Sequence, residues 1–284
     1  MFLIFNKTFA EGVLNTDKIN INIIQRTVPC LTFIIVLVII ILGSIGFVLN
    51  SCTQKSGIAM KETVILDFPL KGTWITPNTP GKRVPSHGTT KYGETYAYDF
   101  VKVDVNSKID KFYNVSLLRY LFRGAKLDEC FGWGSEIYAP CDGEVVIAED
   151  GVVERNPVKL TNDIKYMRDV TTRFENGMAE YREVAGNYII LKIDNNVYAL
   201  FAHIKKGTIK VKEGQRVKRG DVIGNVGHSG NSTAPHLHFQ IMDNPDPMYA
   251  NGLPCAFFEY EKYKNGKWVT VHNGVPGNNR IRKE

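Results

Sequence analysis

The sequence has few cysteines, and none of them is paired at the spacing of a metal site. There are five in 284 residues, and only Cys130, Cys141 and Cys255 lie outside an apolar N-terminal run. Since no C-x-x-C pair occurs, the sequence predicts neither a disulfide framework nor a zinc–cysteine site. It also lacks lysine and arginine blocks interleaved with aromatics, so we expect no nucleic-acid partner. The net charge of +6 is more typical of a solvated basic face than of an anionic partner.

Charged residues are absent between Arg26 and Lys55, and residues 28–49 are almost wholly apolar. A bilayer-spanning helix needs roughly 20 such residues, so we expect membrane anchoring, with the chain that follows outside the cytoplasm. The run ends in Leu-Asn-Ser-Cys at Cys52, which resembles a bacterial lipoprotein signal, so an uncleaved helix and a lipidated cysteine both stay open. The N-terminal part divides into a leader, a transmembrane or signal helix, and a linker (residues 1–27, 28–49 and 50–61).

Beyond the linker the apolar runs are short, rich in valine, isoleucine and aromatics, and punctuated by glycine and proline. This pattern predicts a mainly β, antiparallel domain over residues 62–273. The expected strands are 63–68, 95–103, 136–139, 143–148, 187–193, 197–202, 221–226, 237–242, 256–263 and 268–271. Two stretches look like insertions: 104–133, with a short helix at 116–122, and 155–183, which is charged and weakly helical. Residues 274–284 are polar, and we expect a flexible tail.

Residues 211–220, VKEGQRVKRG, alternate valines with glycine-containing turns. Lipoyl and biotinyl carrier domains, which are barrel-sandwich folds, use the same hairpin pattern. Those carriers present a modifiable lysine at a hairpin tip beside methionine or alanine, and neither Lys205 nor Lys218 has that context. We therefore interpret the segment as scaffold of a barrel-sandwich-like sheet.

Histidines gather in the second half of the chain. His236 and His238 lie two apart in a predicted strand, so both side chains leave the same face. They follow a loop rich in glycine, asparagine and serine that can pass close to a substrate. An isolated H-x-H pair is equally consistent with a solvated strand face. Asp99, however, lies within an apolar strand, where a carboxylate is costly unless it is paired or binds a cation.

Three segments together resemble the lysostaphin-type, LytM-like zinc endopeptidases, which cut peptidoglycan. His203 ends an apolar strand, VKEGQRVKRGDVIG follows, and GHSGNSTAPHLHFQI contains the H-x-H pair. Upstream, SHGTTKYGETYAYDF is similar to a variant of the first metal motif of that family. The resemblance covers roughly residues 71–258 and is most specific in 187–242.

The resemblance implies a Zn²⁺ site and two catalytic histidines. His238 and Asp99 correspond to zinc ligands, and His203 and His236 correspond to the metal-free catalytic pair. The sequence leaves open which of these two is the general base. In the family the remaining ligand usually stands four residues before the aspartate, where this chain has Thr95. His87 lies further upstream, in a His-Gly-Thr context, and we expect it to supply the missing ligand.

Residues beside the catalytic set give weaker signals. We expect Tyr198, Asn231 and Ser232 to line the substrate groove. His228 stands where similar stretches of the family commonly have asparagine, and we interpret it as a solvated loop histidine that could border the groove.

The resemblance implies a membrane-anchored zinc endopeptidase acting on the peptide part of bacterial peptidoglycan. The bond that is cut, the oligomeric state and any protein partner cannot be read from the sequence. One alternative is a catalytically inactive relative that binds the cell wall or activates a hydrolase; the departure at Thr95 favours it. Another is a barrel-sandwich adaptor domain, which would leave the histidines without a role.

Overall fold

The protein is described by a computed structural model over residues 63–107 and 109–284. Strands dominate this part of the chain. The strands are β1 (Val64–Leu66), β2 (Gly72–Ile75), β3 (Tyr98–Lys102), β4 (Glu136–Tyr138), β5 (Gly143–Glu149), β6 (Asn187–Asp194), β7 (Val197–Ile204), β8 (Arg216–Val217), β9 (Val222–Asn225), β10 (Leu237–Met242), β11 (Gly252–Leu253), β12 (Cys255–Lys264), β13 (Lys267–Gly274) and β14 (Ile281–Lys283). The helices are α1 (Leu117–Arg123), α2 (Leu160–Glu175) and α3 (Tyr181–Ala185), with 3-10 helices at Lys91–Tyr96, Leu127–Glu129 and Pro247–Tyr249.

Within the described residues, twelve strands form one sheet with the order β1-β12-β14-β2-β3-β10-β7-β6-β5-β8, and β11 and β13 pair with β10 and β12. Strands β4 and β9 form a separate two-stranded sheet. The pairings are antiparallel except that of β1 with β12, which is parallel. The predicted mainly β, mostly antiparallel class is therefore confirmed.

Strand β7 shows how the sheet separates its two faces. Ala199 and Phe201 point into the main apolar core, which also takes Phe239 of β10 and Phe257 of β12. The alternate positions, including Leu200, belong to a second, smaller cluster on the opposite face. Because side chains alternate along a strand, both faces of the central sheet are covered, and the second face carries the candidate site.

The two predicted insertions contain the helices. Helix α1 begins after Ser116, whose hydroxyl accepts a hydrogen bond from Arg119 N at 3.2 Å, and ends at Gly124 with φ 78°. Its Tyr120 stacks on Tyr113 at a ring-centroid distance of 4.2 Å. Helices α2 and α3 lie in the second insertion and are joined by an ion pair between Arg173 and Glu183 at 2.9 Å.

The polar C-terminal segment is not a loose tail, and this corrects our expectation for residues 274–284. Strand β14 lies inside the large sheet, between β12 and β2, where Ile281 is opposite Trp74 and Lys262. Ile281 is fully buried in the main core. Backbone pairing and a single apolar side chain thus order a segment whose composition indicates a coil.

The apolar run at residues 28–49, the leader and the linker lie outside the described residues, as do Cys30 and Cys52. In the described ranges, no helix has both the length and the apolar character that a membrane crossing requires. Cys130, Cys141 and Cys255 are free thiols.

Candidate metal centre and active site

A row of side chains crosses the sheet on the face opposite the main core. Asp99 of β3 is in register with His238 of β10, and His238 is in register with Ala202 of β7. The flanking residues Phe100 and Phe239 are buried in the core, so strand alternation directs Asp99 and His238 to the other face. His238 Nδ1 lies 3.0 Å from Asp99 Oδ1.

His87 reaches the same place from a loop. Ser86 N donates to Thr95 O at 3.0 Å, and Ser86 Oγ donates to Glu94 O at 3.2 Å, which fixes the loop against the 3-10 helix Lys91–Tyr96. His87 Nε2 then lies 3.1 Å from Asp99 Oδ2. The longer spacing between His87 and Asp99 therefore still puts an imidazole beside the Asp99 carboxylate. Thr95, at the usual position of this ligand, has no imidazole.

Asp99 is held as an ionised carboxylate. Burial by itself raises its pKa, but the imidazoles of His87 and His236 outweigh that effect and hold the pKa well below its usual value. Asn78 Nδ2 donates to Asp99 Oδ2 at 2.7 Å. The carboxylate is thus both oriented and charged, as a metal ligand must be.

Gln240 supports His238 from the same strand face, and sequence reasoning missed it. Its Oε1 lies 2.9 Å from His238 Nε2, while its Nε2 donates to Tyr92 O at 2.7 Å. Because the amide oxygen can only accept, His238 Nε2 carries the proton and Nδ1 faces Asp99. The amide packs closely: a Cβ on Gly93 would lie 2.6 Å from Gln240 Nε2. The available signal was the alternation of His236, His238 and Gln240 along one strand face.

His203 and His236 form a second pair beside this cluster, with ring centroids 4.7 Å apart. His203 Nδ1 donates to Ser229 O at 2.9 Å, and His236 Nδ1 donates to Ala234 O at 2.7 Å. Since carbonyl oxygens only accept, each Nδ1 carries a proton. His203 Nε2 is left for chemistry, whereas His236 Nε2 faces Asp99 Oδ1 at 3.4 Å. His203 has φ 63°, a conformation uncommon outside glycine that occurs at functional sites.

His203 is a neutral base at physiological pH. Burial lowers its pKa well below the usual value, and the neighbouring imidazoles of His236 and His238 lower it further. A buried neutral imidazole with a free Nε2 can accept a proton from a reacting group.

The donor set fits a zinc ion. Among the described residues, His87, Asp99 and His238 each offer a ligand atom, and these atoms lie within 4.8 Å of one another. His87 Nε2 is buried and makes no hydrogen bond; its proximity to Asp99 is an ion-pair distance without hydrogen-bond direction. Two imidazole nitrogens and one carboxylate are ligands that zinc takes, with one position left open at catalytic sites.

A cavity of about 290 Å³ opens over these residues. Its wall includes Asn231, as expected, together with side chains from the second insertion such as Met167 and Tyr181. Tyr198, also expected there, is not among the residues of the cavity wall; it is buried in the second cluster. Ser232 is also corrected, since it is fully buried and its hydroxyl contacts protein groups.

His228 is not a solvated loop histidine. It is fully buried, with Nε2 3.2 Å from Asp163 Oδ1 and Nδ1 3.0 Å from Ser232 Oγ. Burial lowers its pKa, and the opposing effect of Asp163 is smaller. The partner comes from the inserted helix α2, so local sequence around His228 contains no trace of this contact.

Comparison with known proteins gives a family match. Residues 175–250 match the model described as Peptidase family M23. Peptidoglycan DD-endopeptidase ShyC of Vibrio cholerae is 28% identical over 111 residues, which is 39% of this chain and 20% of that protein. Glycyl-glycine endopeptidase ALE-1 of Staphylococcus capitis is 40% identical over 118 residues, which is 41% of this chain and 30% of that protein. The chain thus spans less than a third of these two relatives.

Among solved structures, the catalytic domain of lysostaphin from Staphylococcus simulans has a TM-score of 0.31 and 24% identity, covering 65% of this chain and 88% of that chain. A zinc-containing peptidase from Vibrio cholerae has a TM-score of 0.34 and 21% identity, covering 68% of this chain and 41% of that chain. The resemblance to lysostaphin-type peptidases rests on the sequence matches and is confirmed by them.

Proposed function

The chain resembles peptidase family M23 through residues 175–250, and on this premise we propose that it is a zinc-dependent endopeptidase that hydrolyses peptide bonds of bacterial peptidoglycan. One observation carries the proposal: His87, Asp99 and His238 converge within 4.8 Å beside the separate pair His203 and His236. A site with three candidate metal ligands and two further histidine bases has the composition of a hydrolytic metal site.

The metal would be held by His87, Asp99 and His238. When bound, zinc acts as a Lewis acid and lowers the pKa of water to about 7. The chain supplies the oriented ligands: Asn78 fixes the Asp99 carboxylate, and Gln240 fixes the tautomer of His238.

His203 and His236 would move the proton. Each is fixed through Nδ1 to a backbone carbonyl, and both rings line the cavity, where His236 Nε2 faces Asp99 Oδ1 at 3.4 Å. One accepts the proton of the attacking water and later delivers it to the leaving amine, a role that typically contributes about 10²–10⁴-fold in rate. The other would donate to the oxyanion of the tetrahedral intermediate as an imidazolium, with a second proton on Nε2. The low pKa of His203, caused first by burial, favours it as the acceptor.

The substrate class follows from the relatives. Their printed activities, a peptidoglycan DD-endopeptidase and a glycyl-glycine endopeptidase, share cell-wall peptides but differ in the bond that is cut. The cavity accepts an extended peptide between the sheet and the second insertion, with Asn231 and Tyr181 at its wall. We therefore assign the peptide class and leave the bond open.

The cell-wall substrate also favours a location outside the cytoplasm. We propose that residues 28–49 anchor the chain in the membrane and that the peptidase domain faces the wall. Protease added to intact, wall-stripped cells should then digest the domain, with a cytoplasmic protein as the protected control. Full protection of the domain would refute this orientation.

A non-catalytic relative or an adaptor domain is less well supported. Neither alternative gives a reason to bury Asp99 together with His203, His236 and His238, because unpaired buried charges are costly. The departure at Thr95, which favoured an inactive relative, is offset by His87.

The test is digestion of purified peptidoglycan, followed by mass spectrometry of the released peptides. Wild type should release new amino termini, and chelator should stop the release until zinc is restored. Asp99→Ala and His203→Ala should both be inactive. A wild type that binds zinc yet leaves every peptide bond intact would contradict the proposal.

A further inference from the structure

Helix α2 carries a buried carboxylate outside the candidate site. Asp163 is fully buried, and its Oδ1 accepts from Arg155 Nε at 2.8 Å and faces His228 Nε2 at 3.2 Å. Its Oδ2 accepts from Lys159 N at 2.8 Å. An unpaired buried carboxylate is energetically costly, so the three partners of Asp163 are what allow it to be buried.

The contacts continue from His228 to a catalytic histidine. Ser232 Oγ lies 3.0 Å from His228 Nδ1, 3.1 Å from His236 Nδ1 and 2.7 Å from Ala234 O. His236 Nδ1 carries a proton because it also donates to the carbonyl of Ala234. Ser232 Oγ therefore offers a lone pair to that proton, whether its own hydrogen points to Ala234 or to His228.

The same insertion holds the backbone of this loop. Arg155 donates from Nη1 to Gly230 O at 2.8 Å and from Nη2 to Ser232 O at 2.5 Å. Glu154 Oε1 accepts from His228 N at 2.8 Å. Both sides of the loop before the H-x-H pair are thus hydrogen-bonded to Arg155, at the start of the insertion, and to Glu154, which precedes it.

We propose that Asp163 is a positioning residue for His236, acting through His228 and Ser232. The inference rests on the proposed function, because it assigns His236 to the chemistry. Asp163 only accepts hydrogen bonds when ionised, so His228 Nε2 carries a proton and its Nδ1 faces Ser232. This chain of contacts keeps Nδ1–H of His236 engaged and fixes the ring with Nε2 beside Asp99 at the cavity, as the aspartate of a catalytic triad orients its imidazole.

The pKa shifts agree with this arrangement. Burial raises the pKa of Asp163, but hydrogen bonds and charges from His228 and Arg155 outweigh burial and leave it lowered. Helix α2 also gives Met167 to the cavity wall. One inserted helix therefore both borders the substrate space and orders the histidine.

The test compares two identical substitutions on helix α2 of the full chain. Asp163→Asn removes the buried charge, and Asp169→Asn removes an exposed one, whose side chain is 64% exposed and pairs only with Arg173 among the ion pairs described. Bound zinc, melting temperature, kcat and KM on a soluble cross-linked muropeptide are measured. We expect Asp163→Asn to lower kcat about tenfold to a hundredfold, the scale for a slightly misplaced catalytic group. KM and zinc content should stay as in wild type, and Asp169→Asn should match wild type throughout.

A wild-type kcat in Asp163→Asn would overturn the proposal. If that variant fails to fold or loses zinc, Ser232→Ala decides, since it removes one hydroxyl and leaves the Asp163–Arg155 pair intact. A lowered kcat with unchanged KM and zinc supports the contact chain, and an unchanged kcat refutes it.

A second readout does not need activity. Nitrogen-15 spectra of the histidine side chains report the Nδ1 proton of His236, which should exchange with solvent faster in Ser232→Ala than in wild type. If wild type proves inactive on every cell-wall peptide, the proposed function fails while this spectrum still tests the contact chain. Unchanged exchange of that proton would refute the positioning role by itself.

Discussion

His87 Nε2 lies 3.1 Å from Asp99 Oδ2, although the resembled family usually places this histidine four residues before its aspartate. The 3-10 helix Lys91–Tyr96 makes the contact possible, because it shortens the path between the two residues and gives Ser86 backbone partners. A ligand position can thus be kept in space while it moves in sequence.

The first prediction concerns this ligand set. Wild type should bind about one zinc, the stoichiometry of a single catalytic site, and His87→Ala should lose it because one of three protein ligands is gone. The measurement is elemental analysis after dialysis. His272→Ala is the matched control, since that histidine is exposed and lies near Glu259. Zinc retained in His87→Ala would mean that the third ligand is another residue.

His203→Ala separates metal binding from proton transfer. His203 has no ligand role in the proposed site, so zinc should stay bound while kcat falls by about 10²–10⁴-fold, the range for loss of a general base. Zinc content and turnover are measured on the same sample. Loss of the metal in this variant would show that the assigned roles are wrong.

Gln240→Leu tests support for the metal ligand. The leucine keeps the volume but cannot accept the His238 Nε2 proton, so zinc affinity should fall about tenfold to a hundredfold, as for other outer partners of metal ligands. Competition with a chelator measures the affinity. Gln215→Leu, in a surface turn where Gln215 accepts from Lys212 N, should leave affinity unchanged. Equal zinc affinities for the two variants would show that Gln240 does not support metal binding by His238.

Zinc affinity should rise with pH up to about 9. Burial disfavours the charged form of His238, but its hydrogen bond to Asp99 and that charge raise its pKa from 6.5 to about 9 in the metal-free chain. His238 is therefore protonated below about 9 and must release that proton when a metal binds. Calorimetry in buffers of different ionisation enthalpy should detect about one proton released per zinc at neutral pH. Binding without proton release would contradict this account.

Ile281→Ala should destabilise the whole domain. Its side chain is fully buried in the sheet core, and such truncations cost about 2–5 kcal/mol. Urea unfolding followed by tryptophan fluorescence measures the loss. Val275→Ala, at a position 41% exposed directly after β13, should change stability by less than about 0.5 kcal/mol. If both variants unfold like wild type, residues 274–284 behave as the flexible tail that composition indicates.

The sequence predicted the strands in which apolar and polar residues alternate regularly, and it missed those without such alternation. Strand β10 has the predicted bounds because Leu237, Phe239 and Ile241 alternate with polar residues. Strand β14 has one buried apolar residue, so its place depends on partners remote in the chain. The candidate ligands follow from the same alternation, which turns Asp99 and His238 to one face.

The residues expected at the groove or in solvent that the structure buries elsewhere make contacts that no local sequence pattern encodes. Tyr198 shares a strand face with Ala202, but it lies at the opposite end of β7 and packs there. His228 and Ser232 look like loop residues because their neighbours are glycine and serine. Their burial depends on Asp163 and Arg155, which arrive from an insertion.

The place of β14 also constrains when this domain can fold during synthesis. Trp74 of β2 pairs with Ile281, and Val64 of β1 pairs with Cys255. The first two strands therefore cannot complete their pairing until the far end of the domain has been synthesised. Such long-range pairing is slow and leaves strand edges exposed meanwhile. Until residue 281 has left the ribosome, β2 lacks its neighbour β14, and the part of the sheet with β1 and β12 is not joined to β2. The nascent domain thus stays incomplete until its last strand has been synthesised, and its exposed strand edges can pair with other chains in that interval.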